Sequence, residues 1–135
     1  MYSGNTATAC RLRRPGEALA ELIARYRSVD FGTPEQRARV FPHLVGEQQR
    51  SRALNAAVRA GLDELRASFA KLARAAQARG ELDPAIDADA FGRLPIALLH
   101  GMLLQLGAYG DKLDLDAYTR AAELLIDSPS VSRGA

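Results

Sequence analysis

His43 and His100 are the two histidines of the chain and the side chains best suited to acid–base or imidazole-ligand chemistry near neutral pH. Neither has a cysteine or an acidic residue at metal-ligand spacing on the same turn, so no zinc site is expected. A single cysteine, Cys10, excludes an intramolecular disulfide and a cysteine-based zinc cluster. Asp111, Asp114 and Asp116 outline a weak cation loop, but the glycine and distal glutamate of a calcium loop are missing. Helix capping is the role their positions predict. No G-x-S-x-G elbow presents a nucleophile, and no G-x-G-x-x-G or phosphate loop cradles a nucleotide. The inventory points to a protein that is not an enzyme and carries neither cofactor nor metal. His100 keeps two readings: a partly buried histidine bonded within helices, or a polar anchor for a small molecule in an apolar pocket. His43, beside Pro42, keeps the same two.

Those residues must be held by something, and the composition bounds what. The 135 residues are 47% hydrophobic and 25% charged, enough for one domain with a core and too apolar for a disordered chain. Eighteen basic residues against 16 acidic ones leave +2, no strong field for nucleic acid or an anionic membrane. The excess of Arg over Lys, with abundant Ala, reflects GC-rich codons rather than function. The first ten residues lack the apolar core of a secretory or lipoprotein leader. The uncharged run Leu94 to Gly110 falls short of the roughly 20 apolar residues of a spanning helix. A soluble, cytoplasmic, single-domain protein is expected.

No stretch alternates with period two, so the fold is read as all-α, a bundle of about five to six helices. Residues 1–14 are expected to be a flexible arm. Pro15 opens a helix with Leu19, Leu22, Ile23 and Tyr26 on one face. Thr33-Pro34-Glu35-Gln36 spells an N-cap, Pro at N1 and a capping box for the next helix, in which Pro42 predicts a kink or break. Ser51 caps a long helix whose stripe runs Val58, Leu62, Leu65, Phe69, Leu72, Ala76. Gly80 stops it and Pro84 prevents its resumption. One helix is expected from Asp87 or Asp89 to about Tyr109, ended by Gly110. Asp114 caps the last helix, Ser128-Pro129 ends it, and residues 128–135 are expected to be a disordered tail.

Two of these helices are apolar on more than one side. From Asp87 to Tyr109, Phe91, Pro95, Leu98, Leu99, Met102, Leu103 and Leu106 form a large-residue face. Leu94, Ala97, Gly101, Leu104 and Ala108 form a small-residue face, and a narrow stripe with Arg93, His100 and Gly107 is left polar or open. The last helix is apolar over more than half its circumference, through Leu115, Tyr118, Ala121, Ala122, Leu124, Leu125 and Ile126. A chain this small has too few helices to cover both, so a second copy is the expected cover, the last two helices of each forming a dimeric four-helix bundle; the alternative is that both helices sit in the middle of a monomeric bundle.

The stretch Ala73 to Ile126 resembles the C-terminal half of tetracycline-repressor-like (TetR-family) transcriptional regulators. The resemblance is carried by Gln77-Ala78-Arg79-Gly80-Glu81-Leu82, then Asp83-Pro84, then Leu98-Leu99-His100-Gly101-Met102-Leu103-Leu104-Gln105, then Asp114-Leu115-Asp116-Ala117-Tyr118. Pro34 to Arg52, with Arg39-Val40-Phe41 and Glu47, fits the same domain, so most of residues 15–127 is covered. The resemblance implies an all-helical effector-binding and dimerisation domain of a cytoplasmic bacterial repressor. Its pocket would take a small apolar or amphipathic molecule, and its partners would be that effector and a second copy. Operator DNA would be a partner only through an upstream helix-turn-helix domain, since the family's N-terminal DNA-binding domain, with its Tyr-x-x-Phe-x-x-Lys ending, does not match residues 1–14. The chain is therefore expected to be a truncated or mis-started regulator, or a standalone one. An alternative reading is an interaction module that heterodimerises with a full-length relative. The effector site is expected among Phe41, Leu44, Leu62, Leu65, Phe69, Leu99, His100 and Leu103, and the dimer face around Leu94, Ala97, Gly101, Leu104, Tyr118 and Leu125.

Overall fold

The computed structural model describes residues 14–127. The expected arm up to residue 13, Cys10 within it, and the expected tail from Ser128 lie outside the described residues. Between them the chain is all-α, as its patterning requires. Six α-helices run in order, α1 Pro15–Arg27, α2 Pro34–Arg50, α3 Arg52–Ala78, α4 Ala88–Gly92, α5 Leu94–Tyr109 and α6 Leu115–Asp127. A 3-10 turn, Gly110–Lys112, links α5 to α6.

The helix starts follow local chemistry. The Gln36 N–H donates to Thr33 Oγ1 at 3.1 Å, and the Thr33 N–H donates to Gln36 Oε1 at 2.9 Å, the reciprocal pair of a capping box. Ser51 Oγ accepts from the Leu54 N–H at 3.1 Å, Asp87 Oδ1 from Ala90 at 2.8 Å and Asp114 Oδ1 from Ala117 at 3.0 Å. Gly80, at φ +75°, takes the left-handed conformation that ends α3, and the Glu81 N–H returns to the Ala76 carbonyl at 2.9 Å.

Prolines act differently in two of the helices, and one of them departs from expectation. The helix expected from Asp87 to Tyr109 is two helices, interrupted at Arg93. Pro95 has no N–H for the Phe91 carbonyl, so the ladder lapses there and Pro95 sits in the first turn of α5, where no donor is needed. Pro42, in contrast, does not break α2. The bond it forfeits belongs to the Ala38 carbonyl, on the buried turn that lies against α5. Gly107 lets the two backbones approach: a Cβ there would stand 3.4 Å from the Ala38 oxygen.

Helices pair chiefly as α1 with α6, α2 with α5 and α3 with α4. Leu19, Ile23, Met102 and Leu106 are wholly buried at their meeting point, with Phe69, Phe91 and Ile126 around them. One cation fixes the α1–α2 joint. The Arg37 guanidinium lies 4.9 Å from the Tyr26 ring centroid and donates to the carbonyls of Tyr26 at 2.5 Å, Phe31 at 2.6 Å and Gly32 at 2.9 Å.

The helical stretch from Ala88 to Lys112 spans 25 residues and is long and apolar enough to cross a membrane by length and composition. The stretch is anchored in protein nonetheless: Asp89 accepts from Arg66 at 2.7 Å and from Arg74 at 3.1 Å, while Phe91, Ile96, Met102, Leu103 and Leu106 enter the core. Its apolar character beyond the core belongs to one bare side.

Candidate functional site

That bare side is on α5. At about 100° per residue, Leu94, Ala97, Gly101, Leu104 and Ala108 share one stripe, with Gln105 at its edge. Leu94, Ala97, Leu104 and Ala108 are exposed, Leu104 to 52%, and Gly101 is half-exposed. The stripe expected to be open, with His100 and Gly107, is instead the side against which α2 packs. The difference has a physical reason. Gly107 admits the α2 backbone and His100 meets the Phe41 ring, so a side that reads as polar in sequence is a contact side in the fold.

On α6 the buried side is Leu115, Ala122 and Ile126, which faces α1. Ala117, Ala121, Leu124 and Leu125 are exposed on the other side, Leu125 to 68%. Tyr118 lies at the margin, half-buried, and its hydroxyl donates to the Leu98 carbonyl at 2.5 Å, tying α6 to α5. Burial pushes the Tyr118 phenol pKa up, so it remains a donor. All six residues expected at a dimer face thus lie on α5 and α6. Five of them are exposed or half-exposed with small or aliphatic side chains, and the sixth bridges the two helices.

The residues expected to line an effector site fall into three groups. Phe69 and Leu103 are core side chains, 3% and 9% exposed. Phe41, Leu62, Leu65, Leu99 and His100 are half-buried, and Leu44 is exposed. Within the half-buried group, the Phe41 and His100 rings lie 5.1 Å apart at 39°. Burial lowers the His100 pKa, so its imidazole is neutral at pH values near 7. Among the described residues that imidazole has no hydrogen-bond partner. His43, two residues on from Phe41 in α2, is exposed. No group of three or more metal-ligating side chains exists among the described residues.

The lowered His100 pKa has a measurable consequence. The unfolded chain binds the proton more tightly than the folded one, so stability falls as pH drops through the ordinary histidine range, about 6.5. Melting curves between about pH 7.5 and pH 5.5 should show the wild-type Tm falling more steeply than that of His100→Gln. Parallel profiles would contradict a desolvated His100.

Two contacts had no signal in the sequence. Arg37 was one charge among many until the fold gathered the carbonyls of Tyr26, Val29, Phe31 and Gly32 around it. The second is a bond from the Gly16 N–H to Asp127 Oδ1 at 2.7 Å, across 111 positions. A cleft of about 230 Å³ between α1 and α6, lined by Ile23, Arg27, Asp116, Thr119, Arg120 and Glu123, was equally unforeseen. Arg27 donates to Asp116 at 2.6 Å across it.

A family model described as tetracyclin repressor-like, C-terminal domain matches residues 15–123, from the first residue of α1 into the third turn of α6. No curated protein and no solved structure matches the chain. The match covers the helices that carry both the bare apolar face and the Phe41–His100 contact. By that match, the chain belongs to the tetracycline repressor-like C-terminal domain family, whose members typically bind effectors and dimerise in transcription regulators.

Proposed function

We propose that residues 15–127 form one effector-sensing and dimerisation domain of a TetR-like transcriptional repressor. The observation that carries this reading is the bare apolar face of α5 and α6, centred on Leu94, Ala97, Gly101, Leu104 and Leu125 with Tyr118 at its edge. A homodimer made by pairing this face about a two-fold axis would cover aliphatic area that α1, α2 and α3 leave to solvent. The effector is a small apolar or amphipathic molecule. It would enter between α2, α3 and α5, with Phe41, Leu44, Leu62, Leu65 and Leu99 as walls, Phe69 and Leu103 as the floor and the neutral His100 imidazole as the polar anchor. Effector binding would favour one helix arrangement, and operator DNA, engaged through a helix-turn-helix domain, would favour another. No catalysis, metal or cofactor enters this scheme, and the site of action is the cytoplasm.

A thermal-shift panel of uncharged amphipathic compounds tests the effector half. A compound at 100 times its Kd stabilises by about 2.7 kcal/mol, a shift of several degrees. The expected result is one chemical class that shifts the wild type and fails on His100→Ala. Shifts that survive both His100→Ala and Phe41→Ala would overturn the placement of the site.

A further inference from the structure

The α1–α6 seam is pinned at both ends. At one, the Gly16 N–H donates to Asp127 Oδ1 at 2.7 Å, a cap for the first turn of α1 supplied from the end of α6. At the other, Arg27 Nη1 donates to Asp116 Oδ1 at 2.6 Å. On the inner side of the seam, Leu19, Ile23, Ala122 and Ile126 are core side chains. On the outer side, Ala20 and Ala24 are too short to fill the space between the helices, and the cleft of about 230 Å³ opens over them. With both ends fixed, the fold itself sets the shape of the cleft, so a molecule entering it orders little of the protein.

The α6 wall carries two charges that the fold leaves unused. Glu123 is half-buried and Arg120 is exposed, three residues apart. That spacing permits an ion pair. Neither side chain makes a hydrogen bond or an ion pair among the described residues. A half-buried carboxylate without a cation gains from an ammonium brought to it. The Arg120 guanidinium, almost a turn back along α6, presents its fork of donors to a carboxylate. Between them, the Thr119 hydroxyl donates to the Leu115 carbonyl at 2.7 Å, and its oxygen still accepts.

We propose that this cleft is a second ligand site, separate from the one between α2, α3 and α5, and that it takes a small zwitterion. The ammonium goes to Glu123, the carboxylate to Arg120, and a short aliphatic body lies over Ala20, Ala24 and Ile23. The cleft is smaller than the roughly 300 Å³ at which drug-sized pockets begin, so the occupant has the size of a free aliphatic amino acid. The site stays open when the bare face is covered. At about 100° per residue, Glu123 stands about 160° around α6 from Leu125.

An NMR titration of the full chain with millimolar L-leucine tests the site. The expected result is a saturable shift of the Ala20, Ala24, Thr119 and Glu123 amides. N-acetyl-leucine, which lacks the ammonium, and leucinamide, which lacks the carboxylate, should each bind more weakly. Glu123→Gln should weaken leucine by about tenfold, the loss of one charge-assisted bond, and leave N-acetyl-leucine unchanged. Arg120→Gln should weaken leucine several-fold and leave leucinamide unchanged. Ala24→Leu, at an exposed position, fills the cleft and should abolish binding of all three. No saturable shift at these amides in the wild type would overturn the proposal, as would leucine binding that survives Ala24→Leu. N-acetyl-leucine or leucinamide binding as tightly as leucine would overturn the zwitterion assignment. The cleft touches neither Phe41 nor His100 nor the stripe of α5, so failure here leaves the effector and dimer readings intact.

Discussion

Gly101→Arg should yield a folded monomer. No atom lies within 4 Å of the position a Cβ would take on Gly101, so the chain itself has room for the side chain. In a helix interior Arg is better than Gly by up to about 1 kcal/mol, so α5 is not weakened. The charge lands between Ala97 and Leu104, in the centre of the bare stripe. In a self-paired face, each guanidinium would be desolvated against the aliphatic side chains of the other copy. Size-exclusion chromatography with light scattering should report half the wild-type mass, with helicity and melting behaviour retained. A dimer of unchanged mass would move the interface off this face.

Phe69→Ala should cost the fold about 3–5 kcal/mol, a large share of the 5–15 kcal/mol that holds a domain together. Phe69 is 3% exposed and sits with Leu72, Ala73, Met102 and Leu106 in the core cluster, so truncation leaves a cavity that the surrounding helices cannot close. Urea denaturation followed by circular dichroism reads the loss as a fall in midpoint at constant slope. The result separates two roles. A core side chain gives the full cost. A loss under about 1 kcal/mol would mean that the ring stands against an open pocket whose wall tolerates truncation.

The sequence made legible whatever depends on neighbours within a turn or two. Thr33 with Gln36, Ser51, Asp87 and Asp114 cap helices because their partners are three residues away, and Gly80 and Gly110 end helices through their own φ. The apolar excess of α5 and α6 was legible in the same way, from spacing alone. The exposed stripe of Leu94, Ala97, Gly101 and Leu104 is the one expected to face a second copy, but the covering of the His100 and Gly107 side was not legible. It depends on α2 lying across Gly107 and His100, a tertiary choice that the periodicity of α5 does not encode. Prolines were half-legible: each withdraws one donor, and neighbouring packing decides whether the helix breaks, as at Pro95, or continues, as at Pro42. The candidate site divides likewise. His100 stood out as a rare residue type on an apolar helix, whereas the Phe41 ring beside it depends on the α2–α5 pairing. The Asp127 cap on Gly16 joins opposite ends of the described chain and was beyond any local rule.

The central claim is that α5 and α6 carry a self-pairing face, and sedimentation equilibrium of the unaltered chain across micromolar concentrations tests it most directly. The protomer is 14.6 kDa. A self-pairing face gives a mass twice that value, falling to the protomer value for Gly101→Arg under the same conditions. A wild-type chain that sediments as a 14.6 kDa monomer at every concentration would contradict it.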